Sequence, residues 1–425
     1  MKEESMIVLL GGTVIPGSGA DPIPHSVIVL NKGKIAEISA LSEYRVPPEA
    51  RVFDTVGKTI LPGLIDVHTH IQDSGTGTEA QLLHEVLPYK ALKAAGHARA
   101  CLEAGFTTIR DLGAELWIDT GLRDAIQDGL VPGPRMLVSG YKITSTGTDF
   151  PVFPPEIGIR GRETMDSPYE VRKAVRTLLA MGVDWIKVMT SGRTFRKSSS
   201  PDALGLTLEE TKVAVEEAHN QGKKVSAHAH GNRGIKVALE AGCNSIEHGT
   251  VLEDEDLDRM VRDRVFLVPT LSYGKRLEKM GDASGLPGYA LEKALRSRRL
   301  RVKSFAQALS RGVKIASGSD AGMPFVAHGT NAFELAALVD AGMTPMQAIV
   351  AATGAATELL GTPEIGSIAT GKIADLLVVE GDPVKDITLL QDRKKILGVF
   401  QNGVPVINRG LMEKPSPPAS MRRGK

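Results

Sequence analysis

The chain is poor in several things, and each scarcity excludes something. Two cysteines, Cys101 and Cys243, in 425 residues are too few for a disulfide framework. They could pair with one another, but the count suits a reducing cytoplasm. Aromatic residues make up only 4%, which argues against a stacking platform for single-stranded nucleic acid. Neither sign of charge dominates: 51 Lys and Arg oppose 50 Asp and Glu, for a net charge of +1. An electrostatic footprint for nucleic acid or an anionic membrane is therefore missing. No apolar run approaches the roughly 20 residues of a membrane helix. The run from Ile7 to Leu10 is too short for a signal-peptide core and reads as a strand.

What is present has two textures. Residues 1–60 alternate short strand-like runs with Gly, Pro, Asn and Asp, and residues 363–412 repeat that texture. Asn402-Gly403 in the second stretch predicts a type I′ hairpin turn. The two stretches are expected to join into a small β-sandwich domain built from both chain ends. Residues 413–425, with Pro415, Pro417 and Pro418, read as a disordered tail. Between 61 and 362, short apolar runs alternate with longer helical patterns, an α/β signature. Strands are expected near 64–68, 107–111, 135–139, 185–189, 225–228, 245–248, 265–269 and 314–317. Eight β-then-α units suit a closed (β/α)8 TIM barrel, with an open doubly wound sheet as the rival. The barrel predicts that chemistry clusters at strand C-termini.

The chemistry-bearing residues do fall there. His68 and His70 stand two apart in Leu64-Ile-Asp-Val-His-Thr-His, so strand alternation puts both imidazoles on one face. Two surface histidines are the plain alternative. Lys187 sits among strand formers in Trp185-Ile-Lys-Val-Met. It either reaches solvent at the strand end or is buried. Burial would lower its pKa and expose a neutral amine, which can add CO2 to form a carbamate able to bridge two cations. His228 and His248 each end a strand, one β/α unit apart. His230 shares a face with His228 and is either a ligand or a substrate contact; His228 lies nearer the strand end and takes the ligand role. Asp320 follows the last predicted strand in Gly318-Ser-Asp-Ala-Gly. Alone it would be a cap or turn residue; in this company it reads as a metal ligand and general base. Together these residues supply the N and O donors that zinc prefers. Two ions sharing the carbamate and a bridging hydroxide would lie about 3.5–4 Å apart.

These residues resemble the amidohydrolase superfamily in its binuclear, lysine-carbamate branch. The likeness is carried by Leu61-Pro-Gly-Leu-Ile-Asp-Val-His-Thr-His, Ile186-Lys187, His228, His248, Gly318-Ser-Asp-Ala-Gly and Gly366-Ser-Ile-Ala-Thr-Gly-Lys-Ile-Ala-Asp-Leu. It covers nearly the whole chain. Gly105-Phe-Thr-Thr-Ile-Arg-Asp-Leu-Gly and His328-Gly-Thr-Asn-Ala-Phe-Glu-Leu narrow it to the group of imidazolonepropionase-like enzymes, Xaa-Pro and Xaa-Arg dipeptidases and ochratoxinase. The resemblance implies that His68, His70 and Asp320 hold one ion, that His228 and His248 hold a second, and that carbamylated Lys187 bridges them. One departure concerns the substrate. Peptidase-like relatives place a substrate-binding histidine after the third strand, where this chain has Ser145-Thr-Gly-Thr-Asp149. His230 also stands where some relatives have tyrosine.

The expected activity is hydrolysis of a C–N bond in a dipeptide or N-acyl amino acid. A carbamate, urea or cyclic amide hydrolase is the alternative, and a non-catalytic scaffold the remote one. Deaminases of the superfamily lack the bridging lysine. His230, Tyr141, Arg193 and His328 are the expected substrate contacts, because barrel loops beyond strand ends form the pocket. Arg193 is the expected partner of a substrate carboxylate. The expected partners are a small-molecule substrate and further copies of the chain, with no nucleic acid and no membrane.

Overall fold

The computed structural model describes residues 6–75, 85–148, 164–192 and 200–414. The chain separates into two compact units. One gathers Met1–Ile65, Cys101–Thr107 and Thr344–Lys425; the other comprises Asp66–Ala100 and Thr108–Met343. Residues 344–362, expected within the barrel segment, fall in the first unit.

The chain begins with β1 (Ile7–Val14), β2 (Ile23–Asn31), β3 (Lys34–Ala40), β4 (Arg51–Asp54) and β5 (Lys58–Pro62). Lys32 and Gly33, at φ 48° and 76°, supply the two left-handed residues of a tight β2–β3 hairpin. β1 is antiparallel to β2 and parallel to β4 and β5. It serves both parallel partners because Gly11, at φ 87°, lies where the register shifts. Ile7–Leu10 then pair with β4, and Thr13 and Val14 with β5.

The second unit holds the helix-and-strand alternation. β6 (Leu64–Thr69), β7 (Phe106–Asp111) and β8 (Arg135–Leu137) form one sheet in that order. β9 (Trp185–Met189), β10 (Lys224–Ala229), β11 (Ser245–His248) and β12 (Phe266–Val268) form another, parallel throughout. A helix follows each strand, and its start is written locally. The Thr207 hydroxyl and Glu210 form a capping box for Leu208–Asn220, satisfying two otherwise orphaned N–H groups. Ser167 caps Pro168–Ala180, with proline in the first turn.

The expected eighth strand, 314–317, is absent. Ile315 forms only an isolated bridge to Leu267. The reason is steric. A Cβ on Gly318 would stand 2.5 Å from Val268 Cγ1 and 2.6 Å from His68 Cβ, so the backbone is pressed against its neighbours there. It then turns to Asp320 at φ 60°, outside strand geometry. The described strands are thus two sheets of three and four. Backbone hydrogen bonds continue past their margins: Trp185 N to Val138 O at 3.1 Å, Leu267 N to Lys314 O at 2.8 Å, Ala316 N to Leu267 O at 3.1 Å, and Val67 N to Ser317 O at 3.0 Å.

The chain ends on β13 (Leu376–Glu380), β14 (Ile396–Gln401), β15 (Val404–Asn408) and β16 (Glu413–Lys414). Both chain ends combine into one hydrogen-bonded network of nine strands. Strand alternation gives this sheet two apolar faces. Ile7, Leu9, Ile60 and Phe400 share one cluster, while Val8, Val27, Val29 and Val52 share another. Asn402 and Gly403, at φ 50° and 75°, make the expected β14–β15 turn. The tail begins later than expected, since Glu413 and Lys414 pair with Phe53 and Val52; residues 415–425 lie outside the described residues. Cys101 and Cys243 are buried and form no disulfide. No described helix is long and apolar enough to cross a membrane.

Candidate metal centre

All six residues expected to hold metal line one cavity, together with His230. They come from the C-terminal ends of β6, β9, β10 and β11 and from the bend after residue 317. The Nε2 atoms of His68 and His70 lie 3.4 and 3.3 Å from Asp320 Oδ1. Across the cavity, His248 Nε2 lies 2.9 Å from His228 Nδ1. His228, His230 and His248 present ligand atoms within 4.8 Å of one another, as do His68, His248 and Asp320. His230 thus stands against the pair read from the sequence. His248 and Asp320 have positive φ, as does Thr270, whose hydroxyl lies 2.7 Å from His248 Nδ1. A β-branched residue in that region is strained, and such residues gather at functional sites.

The electrostatics follow from burial. Lys187 is 1% exposed, and burial above all brings its pKa down to about 8, against an opposing pull from Glu247. Burial and then the Lys187 charge lower His68 to about 4. Burial also holds His230 and His248 well below the usual range. These rings are therefore neutral at pH 7, the form that binds cations. Burial works to raise Asp320, but the surrounding His68, His70 and Lys187 outweigh it and keep the carboxylate ionised.

A buried ion pair supports the centre. His68 Nδ1 lies 2.7 Å from Glu247 Oε2. Arg110 Nη2 donates to Glu247 Oε1 at 2.9 Å, Arg110 Nε donates to Val67 O at 2.6 Å, and the guanidinium stacks 4.3 Å from the Trp185 ring. Despite burial, Arg110 and His68 hold Glu247 at about 2. Sequence reasoning missed both Glu247 and Arg110. The available signal was a charged residue of each sign inside two apolar strands. It also missed Arg301, Tyr273 and Lys142, which line the cavity.

Not every expected substrate contact reaches that wall. The Tyr141 hydroxyl donates to Ala174 O at 3.4 Å and its ring packs on Trp117, so the side chain lies against a helix. His328 Nε2 lies 2.9 Å from Asp73 O and 3.2 Å from His70 O, and its ring stacks on His97. It braces the backbone of His70 instead of lining the cavity. Arg193 and Asp149 lie outside the described residues. Of the three that are described, His230 lines the cavity.

The residues present fit a metal centre. Lys187 Nζ and Asp320 Oδ1 are buried with no hydrogen-bond partner, a costly state that a shared cation relieves. Facing imidazole nitrogens at 2.9 Å likewise suit a positive charge between them.

The comparisons agree with this geometry. Residues 59–406 match the model of the amidohydrolase family. The chain is 31% identical over 432 residues to ochratoxinase of Aspergillus niger, covering 94% of this chain and 86% of that one. The crystal structure of a Xaa-Pro dipeptidase superposes with a TM-score of 0.85 at 32% identity, covering 94% of this chain and 99% of that one. That of A. niger ochratoxinase gives 0.83 at 28%, covering 96% of each. With that match across most of its length, the chain belongs to the amidohydrolase family and is a hydrolase acting on carbon–nitrogen bonds.

Proposed function

We propose that this chain hydrolyses the amide bond of a dipeptide or N-acyl amino acid, with two divalent cations, zinc by donor type, as its cofactors. The observation that carries the reading is Lys187 Nζ, buried without a hydrogen-bond partner in a cavity with Asp320 and four histidines. His68, His70 and Asp320 would hold one ion and His228 and His248 the other. Lys187, as the carbamate formed with CO2, would serve both. When bound, such ions polarise a carbonyl and make water ionisable near pH 7.

The chain's own residues do the rest. Asp320 accepts the proton of the attacking water and delivers it to the departing nitrogen, leaving a carboxylic acid and an amine. His68 and His70, whose Nε2 atoms lie 3.4 and 3.3 Å from Asp320 Oδ1, flank the carboxylate that takes this proton. Glu247 orients His68, and Arg110 anchors Glu247. His230 meets the substrate, and Arg193 is the proposed partner of its carboxylate. Residues 61–362 are read as a (β/α)8 barrel carrying the chemistry, and 1–60 with 363–412 as a separate β domain; the backbone hydrogen bonds at both sheet margins support the barrel. The likeness to a Xaa-Pro dipeptidase supports a peptide-like substrate. Two thiols outside any disulfide suit a cytoplasmic setting.

Lys187→Ala tests the reading. The variant is expected to lose metal and amidase activity, and short carboxylic acids should partly restore both. Full activity without added acid would end the proposal. Wild-type turnover confined to aryl carbamates and lactams, with none on dipeptides or N-acyl amino acids, would overturn the substrate class.

A further inference from the structure

The groups around the cavity decide which histidine nitrogens carry protons. A carboxylate or carbonyl oxygen only accepts, so the ring nitrogen facing it is an N–H. A guanidinium only donates, so the nitrogen facing it carries the lone pair. His68 Nδ1 faces Glu247 Oε2 at 2.7 Å, and His70 Nδ1 faces Gly113 O at 3.5 Å. Both rings therefore keep their proton on Nδ1 and offer Nε2, as a metal ligand must.

His230 is arranged the opposite way. Arg301 Nη2 lies 3.3 Å from His230 Nδ1, and Thr250 Oγ1 lies 2.8 Å from it. Arg301 Nε donates to the same Thr250 oxygen at 3.2 Å, and the threonine's own proton is free to turn to the lone pair that Arg301 Nη2 faces on His230. Two donors thus converge on Nδ1. An imidazolium has no lone pair to receive them, so the ring is neutral with its proton on Nε2. A protonated Nε2 cannot bind a cation, although His230 clusters with His228 and His248. Arg301 is itself buried and held at a further point, donating through Nη1 to Thr270 O at 2.9 Å. His248 differs: its Nδ1 meets the Thr270 hydroxyl, which takes a donation from Arg301 Nη1 at 3.2 Å and keeps a second lone pair to accept from the ring, whereas His230 Nδ1 faces a guanidinium nitrogen that can only donate.

We propose that Arg301 and Thr250 lock His230 in the tautomer protonated on Nε2, so that His230 binds no metal and instead donates a hydrogen bond to the scissile carbonyl oxygen of the substrate. That bond strengthens as negative charge develops on the oxygen, which is how a fixed donor accelerates acyl transfer. Arg301 is a positioning residue and His230 the catalytic one. The donor role rests on the amide-hydrolysis reading above; the tautomer does not.

Nitrogen NMR of ¹⁵N-histidine-labelled wild-type protein, before and after zinc addition, reads the tautomer directly. His230 is assigned by its absence in His230→Gln. A pyridine-like Nδ1 and a pyrrole-like Nε2, unchanged by zinc, are expected. A proton on Nδ1, or a zinc-induced shift of Nε2, would overturn the proposal. In the kinetic arm, His230→Phe should retain the wild-type zinc content while kcat falls about 10²–10³-fold and KM changes little. Loss of one zinc would instead make His230 a ligand. Arg301→Gln, whose amide oxygen can accept from Nδ1, should lower kcat and spread the proton over both nitrogens, and Arg301→Lys should restore part of the loss. An unchanged tautomer in Arg301→Gln would remove Arg301 from the scheme. Should the protein cleave no amide, the donor role falls with the proposed function, while the wild-type spectrum still upholds or overturns the tautomer.

Discussion

The two units bury opposite kinds of chemistry. The interior of the nine-stranded sheet is aliphatic and aromatic, with Ile7, Leu9, Ile28 and Ile60 around Phe53 and Phe400, whose rings meet edge-on at 5.6 Å. The interior of the second unit holds Asp66, Arg110, Lys187, Glu247 and Asp320, all buried. Burying apolar area contributes about 25 cal/mol per Å². A buried ion pair, by contrast, gains little over an apolar pair of the same shape, and losing one partner is expensive. The first interior is thus built for stability. The second gives up stability to hold a reactive constellation, and each of its charges must be explained by what it orients.

Substitutions can break or sharpen that contrast. The largest expected effect is on turnover. Asp320→Asn should keep the fold, since circular dichroism reads backbone the amide does not disturb, but lower kcat about 10²–10⁴-fold because an amide cannot shuttle the proton. A loss below about tenfold would remove the general-base role. Next is Glu247→Ala, which strands the buried Arg110 guanidinium and should cost about 3–5 kcal/mol in denaturant unfolding. The double variant Arg110→Met with Glu247→Leu should regain most of that stability while activity stays low, because His68 Nδ1 has lost its carboxylate. Recovery of both together would mean that the pair serves only the fold.

A smaller effect concerns assembly of the centre. With a pKa near 8, the Lys187 amine of the metal-free protein is protonated below that value and neutral above it. Only the neutral amine adds CO2. The initial rate of reconstitution with zinc and bicarbonate, at constant dissolved CO2, should therefore rise roughly fivefold from pH 7 to 8 and level off above about 9. A flat profile would show that this amine does not limit assembly. The smallest effect belongs to the apolar unit. Ile60→Val should cost about 0.5–1.5 kcal/mol with turnover unchanged, and a large loss of activity would show that this interior, too, serves the site.

Much of the centre was legible in the sequence because strand alternation and strand ends are local features. His68 and His70, or His228 and Lys187, can be placed on a parallel-strand edge from neighbours alone. Side-chain direction beyond the strand ends was not legible. Tyr141 and His328 sit where barrel loops should line a pocket, yet one turns to a helix carbonyl and the other supports the His70 backbone. Glu247 and Arg110 stand 137 residues apart, and nothing local announces that they pair. Arg301 was hidden further. It lies on the helix Gly288–Ser310 beside Arg298, Arg299 and Lys303, a run that reads as a solvated face.

The order of β and α elements, the positions of the strand-end histidines, Lys187 and Asp320, and the hairpin at Asn402-Gly403 were determined by the sequence itself. Each rests on periodicity or on a turn that a few neighbouring residues specify. Tertiary structure decided the rest. It joined the chain ends into one sheet because β1 changes partner at its register shift, and it reduced the last strand to a bend because Gly318 is pressed between β6 and β12. It also set which nitrogen of each histidine carries the proton, since the carboxylate, carbonyl or guanidinium that settles this comes from a distant part of the chain.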